Sequence, residues 1–173
     1  MIVIKDLNFY YSVMNPIFTG LTTEFEQGKI YGLLGKNGAG KTTLLKLIVG
    51  SRFWISGSIT VGGYESWKRL PQMYEQIVIL PEQFQLPMVR AEDYVKYFGA
   101  FYPKFDYGQL QQMLLEFEIP SRRYLTEMSY GQRKKFLISF VLATGARYVL
   151  MDEPTNGLDI PSKMKFRSIV AES

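Results

Sequence analysis

The chain has 173 residues, 47% of them hydrophobic and 21% charged, with a formal net charge of +4 and neither cysteine nor histidine. This composition suits one globular domain with a real core, rules out disulfides and thiol chemistry, and leaves a mild basic excess that argues only weakly for nucleic acid or a membrane surface. The start, "MIVIKDLNFYY", lacks the basic and apolar regions of a signal peptide, and the longest apolar stretch, "FLISFVLATGA" at 136–146, is too short to span a bilayer.

In chain order, the front third reads as β-rich. "MIVIKDLNFYY", "LTTEFEQGKIYGLL" and "GSITVGG" carry alternating or β-branched residues between turn signals. Within the second, "KIYGLL" (29–34) is a hydrophobic strand candidate running into a glycine-rich turn, and "KTTLLKLIV" leaves that turn as a helix with apolar residues at 44, 45, 47 and 48. "QIVILPE" (76–82) is a strand that Pro81 ends. From about residue 88 the texture turns helical. "AEDYVKYFGAFY" (91–102) places Ala91, Val95, Phe98 and Phe101 on one face, and "DYGQLQQMLLEFEI" (106–119) opens with Asp106 and Gln109 as a capping box. Its Leu110, Met113, Leu114 and Phe117 follow the spacing of a core-facing helix. Residues 136–146 read as a buried helix, "RYVLMDE" (147–153) as a buried strand, and "SKMKFRSIVAES" (162–173) as a helix. The expected fold is α/β, with an N-terminal antiparallel part and a helical insert at about 84–128. The run "RKK" at 133–135 reads as a solvated helix face rather than a nucleic-acid patch.

Three segments carry chemistry. In "GKNGAGKTT", Gly35, Gly40, Lys41 and Thr42 fill the pattern G-x-x-x-x-G-K-[ST] between a strand candidate and a helix. Glycines let backbone N–H groups curl around an anion, and the new helix turns unpaired N–H groups and a positive dipole end on the same phosphates. Lys41 then reaches the β- and γ-phosphates and the Thr42 hydroxyl ligates Mg²⁺. In "YVLMDEPTNGLD" (148–159), two carboxylates stand at the carboxyl end of a strand, where open parallel sheets place ligands. Asp152 is the candidate for Mg²⁺, and Glu153 for orienting and deprotonating the attacking water. In "TEMSYGQRKKF" (126–136), Ser129 and Gln132 form a capping box whose helix N-terminus is also an anion site.

In this order the three segments resemble the ATP-binding subunits of ABC transporters, a P-loop NTPase fold, over essentially the whole chain up to about residue 165. "GKNGAGKT" matches the phosphate loop, "MSYGQ" the signature sequence with Tyr130 where glycine is usual, "YVLMDE" the strand with the Mg²⁺ aspartate and catalytic glutamate, and "NGLD" the D-loop with Asp159. The resemblance implies that Asn37, Gly38, Ala39, Gly40, Lys41, Thr42 and Thr43 hold ATP, and that Ser129, Gly131 and Gln132 meet the ATP of a partner. Tyr11, in "LNFYYS", aligns best with the aromatic residue that stacks on adenine. At the Q-loop position, where a glutamine that senses Mg²⁺ is usual, Glu82 stands and Gln83 follows; either residue could coordinate.

The resemblance further implies Mg²⁺ and ATP as cofactors and a head-to-tail pair of such domains, with Lys41 acting in cis and Ser129 in trans. It also implies transmembrane permease subunits as partners, no nucleic acid, and a peripheral place on the cytoplasmic face of the membrane. A soluble ABC-type ATPase on DNA, chromosomes or ribosomes is the rival, argued against by the short stretch between Gln83 and Met128, which holds no long coiled-coil heptads. A binding module with little hydrolysis is a third reading. Family members continue into another strand ending in a switch histidine, and this chain contains no histidine. The expectation is therefore a domain incomplete at its C-terminus, with a gap in its sheet or a borrowed strand, that binds nucleotide and turns it over slowly.

Overall fold

The computed structural model describes residues 1–12 and 14–171. They pack as two compact units, Met1–Ile79 and Leu80–Ser173, taken in turn.

In the first unit, β1 (Ile2–Ser12) pairs antiparallel with β2 (Asn15–Phe25), in a register running from Ile2↔Phe25 to Ser12↔Asn15. β3 (Ser56–Val61) lies on the other side of β1, and β4 (Tyr64–Glu65) completes the order β2-β1-β3-β4. The alternation of β1 slips once. Ile2 and Ile4 are buried, and then Leu7 and Phe9. Between them Asp6 adopts φ 48°, and the ladder shifts register on both sides. One extra residue in a strand turns every later side chain to the other face, so the bulge keeps both apolar pairs on the core side. The Thr22 hydroxyl accepts from the Asp6 N–H at 2.9 Å and holds it there.

Helix α1 (Lys41–Ile48) buries Leu44, Leu45, Leu47 and Ile48, the four apolar positions its sequence offers, each contributing about 1.5–3 kcal/mol on leaving water. A short helix α2 (Pro71–Tyr74) buries Met73. The turn Ser66–Lys68 is pinned by the buried Ser66 hydroxyl, which donates to the Leu47 carbonyl at 2.8 Å.

The strand expected at 29–34 does not form. Residues 29–36 are irregular and outside any ladder, and Leu34 is 97% exposed. Apolar residues alone do not make a strand; a hydrogen-bonding neighbour does, and among the described residues this segment has none. Its local anchor is Tyr31, whose hydroxyl accepts from the Glu26 N–H at 3.0 Å and whose ring meets Phe25 edge-on.

The division between units falls within β5 (Ile77–Leu80); Leu80 and strand β6 (Tyr148–Met151) belong to the second unit. In the second unit, α3 (Ala91–Gly99) buries Ala91 and Val95 but leaves Phe98 exposed, and Phe101 lies beyond its end and is exposed too. Helix α4 (Tyr107–Glu116) buries Leu110, Met113 and Leu114, and Phe117 beyond its end is buried too. Only half of its expected capping box is made. The Asp106 carboxylate accepts from the Gln109 N–H at 2.8 Å, whereas the Asp106 N–H donates to the Ala143 carbonyl at 2.7 Å. The long helix α5 (Tyr130–Ala143) is the buried one, with Phe136, Ile138 and Phe140 in its core and Tyr94 and Phe105 packed on Phe140. Strand β6 buries Tyr148 but leaves Val149 exposed, so it is not the wholly buried strand expected. Helix α6 (Ile160–Ala171) forms where the sequence places a helix, whose last two positions lie outside the described residues.

Candidate active site

The first unit carries the glycine-rich loop. Gly38 and Gly40 stand at φ 82° and 92°, a left-handed region that a side chain resists. A Cβ on Gly40 would lie 2.5 Å from Ile17 Cγ2 and 2.9 Å from Phe18 Cζ, so only glycine fits. Helix α1 starts directly after it with no side-chain cap and no acidic residue in its first turn. The backbone N–H groups of a first helical turn have no intrahelical acceptor, and here no side chain of the cap replaces one. Lys41 Nζ folds back over the loop and donates to the carbonyls of Gly35 at 2.8 Å and Lys36 at 3.2 Å. Asn37 and Ala39 lie in the same turn, closed by the Ala39 N–H donating to the Lys36 carbonyl at 3.2 Å. An uncapped helix start, a cation one side chain away and glycines at positive φ together make a cradle for phosphate.

Tyr11 belongs to this cradle. Its hydroxyl is 3.1 Å from Thr43 Oγ1, and its ring is mostly exposed, with the Arg52 guanidinium 5.3 Å from its centroid. Arg52 carries no motif signal; only the fold brings it to Tyr11.

The second unit carries the acidic strand tip. Asp152 follows β6 and is only 6% exposed, and its N–H donates to the Leu80 carbonyl at 2.9 Å. Glu153 is exposed and sits at φ 45°, a conformation uncommon for a residue with a side chain, in a turn closed by the Asn156 N–H donating to its carbonyl at 3.2 Å. Glu82 is half-buried, and its Oε1 accepts from Asn156 Nδ2 at 3.4 Å, while Gln83 is exposed. Glu82 is thus the one that faces the "NGLD" turn, through Asn156, a residue of that motif to which the sequence reading gave no role.

Ser129 caps α5 with the full reciprocal box: its hydroxyl accepts from the Gln132 N–H at 3.2 Å, and Gln132 Oε1 accepts from the Ser129 N–H at 3.0 Å. Gly131 backs onto the Gly157 carbonyl, where a Cβ would sit at 3.4 Å. Tyr130, the departure from the usual signature, donates from its hydroxyl to the Glu82 carbonyl at 3.1 Å and stacks on Phe84. Asp159 accepts from Lys135 Nζ at 3.2 Å and from the Ser162 N–H at 2.8 Å. Hydrogen bonds from Ser162, side chain and then backbone, and then Lys135 lower its carboxyl from 3.8 to about 2.

The "RKK" run is not the solvated face expected. Lys134 is wholly buried, Arg133 and Lys135 are half-buried, and Lys135 is paired with Asp159. The signal was in the spacing: Lys134, Leu137, Ile138 and Val141 follow the i, i+3, i+4, i+7 stripe of the inward face.

Hydroxyl and carboxylate oxygens such as those of Thr42 and Asp152 are the donors Mg²⁺ prefers, so the donor chemistry fits that ion. Among the described residues, no group of three or more acidic, cysteine or histidine side chains forms a self-contained metal site, and no helix is long and apolar enough to cross a membrane.

The family described as "ABC transporter" matches residues 18–156. Among curated relatives, the "ABC transporter ATP-binding protein YtrB" of Bacillus subtilis is 37% identical over 150 residues, covering 84% of this chain, which spans half of YtrB's length. A solved "ATP binding subunit of ABC transporter" superposes with a TM-score of 0.88 at 23% identity, covering 99% of this chain and 74% of that one. A dimeric bacterial ABC transporter cassette superposes with a TM-score of 0.83 at 20% identity, covering 98% of this chain and 81% of that one. The phosphate loop, the serine-capped helix and the acidic strand tip thus stand on the fold of an ABC ATPase cassette, and with more than three quarters of its length inside the family match, this chain belongs to the ABC transporter family.

Proposed function

We propose that the chain binds Mg·ATP and hydrolyses it to ADP and phosphate as one of two paired ATP-binding subunits that drive transport through separate membrane subunits. The observation that carries the reading is the start of α1: an uncapped helix N-terminus behind glycines at positive φ, with Lys41 Nζ resting on two loop carbonyls that a phosphate would replace. Asn37, Gly38, Ala39, Gly40 and Thr43 line the phosphates, and Tyr11 offers its exposed ring to the base. Thr42 and Asp152 hold the Mg²⁺, with Glu82 as the Q-loop residue in preference to Gln83. The metal supplies charge neutralisation on the phosphate oxygens. Glu153 orients a water and accepts its proton. Ser129, Gly131 and Gln132 complete the site of a second copy or a close paralogue, and the dimeric state of a cassette with the same fold supports such pairing. The subunit works at the cytoplasmic face of the membrane, held by its permease partners, and uses no nucleic acid.

The test is an ATP titration with and without Mg²⁺, paired with a phosphate-release assay. Saturable binding that Lys41→Ala weakens supports the reading; no binding at millimolar ATP refutes it. A second reading, nucleotide binding with slow hydrolysis, is supported by the exposed, unpaired course of residues 29–34 into the loop. Saturable ATP binding with negligible phosphate release would favour it.

A further inference from the structure

We propose that Lys134 is a positioning residue for the Glu82–Phe84 segment, its buried ammonium, set against the Phe84 ring, keeping Glu82 in the arrangement that serves the divalent cation. Lys134 is 0% exposed, and among the described residues its Nζ has no hydrogen-bond partner. A lysine buried so completely needs an opposite charge or an aromatic face, because desolvation disfavours the ammonium. It has both. Nζ lies 5.7 Å from the centre of the Phe84 ring, within cation–π range. Glu82, Asp152 and Glu153 each act on it through charge and oppose the downward pull of burial on its pKa.

The surroundings aim this charge. Tyr130 and Lys134 are one helical turn apart on α5 and share a face. Tyr130 stacks on Phe84 with ring centroids 5.4 Å apart and planes at 16°, and its hydroxyl holds the Glu82 carbonyl. The first turns of α5 therefore grip the Glu82–Phe84 segment at its backbone and its ring, while Asn156 holds the Glu82 carboxylate from the other side. Carboxylates near a strand tip repel one another, and a buried cation that acts on them through charge offsets part of that repulsion. The chain thus carries an acid where the family's glutamine is usual, and a buried base against the ring of Phe84, two residues further on.

This inference rests on the Mg·ATP reading for its functional consequence, but the contact can be tested without nucleotide. The experiment is a double-mutant cycle of Lys134→Met and Glu82→Gln, read by urea unfolding of the full chain. Methionine keeps the volume and removes the charge. Coupling is expected as a non-additive change of about three- to tenfold in the unfolding constant; an additive cycle overturns the proposal and leaves a space-filling lysine. If Lys134→Met does not fold, Lys134→Gln takes its place in the same cycle. The second readout is Mn²⁺ affinity in the presence of ATP, followed by the free-Mn²⁺ spin-resonance signal. Removing a cation beside the carboxylates is expected to shift it by about three- to tenfold while metal-free ATP affinity stays the same, and an unchanged Mn²⁺ affinity overturns the proposal. Should no variant and no wild type take up ATP, the nucleotide reading fails on its own, and the cycle still decides the role of Lys134.

Discussion

The Tyr130 hydroxyl donates to the Glu82 carbonyl oxygen at 3.1 Å, tying the first residue of the signature helix to the residue at the Q-loop position. A glycine at 130 could make neither this bond nor the stacking on Phe84. Gly157 completes the fit: at φ 78°, a Cβ there would come within 2.6 Å of the Tyr130 ring. Tyr130→Phe keeps the ring and loses one hydrogen bond, so it should cost about 0.5–1.5 kcal/mol. Tyr130→Gly also loses the aromatic pair, about 0.5–1.5 kcal/mol more. Urea unfolding of both variants checks the order. Equal stability of wild type and Tyr130→Phe would show that the bond contributes nothing.

Lys41→Ala removes the cation nearest the phosphate cradle. A hydrogen bond to a charged group is worth about 1.5–3 kcal/mol, so ATP affinity should fall by roughly ten- to a hundredfold. The fold should survive, because the hydrogen bonds of Lys41 Nζ among the described residues go to carbonyls of its own loop. Isothermal titration of the folded variant is the measurement, and an unaltered dissociation constant would remove Lys41 from the site.

Glu153→Gln leaves side-chain volume and the φ 45° backbone as they are and removes the carboxylate proposed as the base. ATP binding should persist while phosphate release drops by about 10²–10⁴-fold, and gel filtration with Mg·ATP should show an accumulated dimer. Undiminished hydrolysis by this variant places the base elsewhere.

Asp159 gives a pH signature. Its carboxyl is lowered from 3.8 to about 2 by Ser162 and Lys135. A group with a depressed folded pKa contributes stability above its unfolded value and loses it as pH falls through the folded one. That contribution is therefore complete above about pH 4 and gone below about pH 2. Asp159→Asn keeps a cap for α6 but cannot titrate, so its stability should fall less steeply than wild type across that window. Parallel pH curves for the two proteins would contradict the assignment.

The sequence by itself determined the parts whose signals are local. The phosphate loop shows in the spacing of Gly35, Gly40, Lys41 and Thr42, and the cap of α5 in Ser129 and Gln132. Helix α4 shows in the period of Leu110, Met113 and Leu114. Each depends on residues within a turn or two of one another, where backbone geometry alone sets which groups meet. Tertiary structure decided the rest. It left 29–34 out of a ladder, since a strand exists only with a neighbour. It turned the Asp106 N–H to Ala143 and so undid half of a capping box. It set Glu82 rather than Gln83 against Asn156, and it drew Lys134 out of an apparently solvated basic run into the interior. Those outcomes depend on partners up to 74 residues apart in the chain, and burial and pairing at that range are set by packing, which no local pattern encodes.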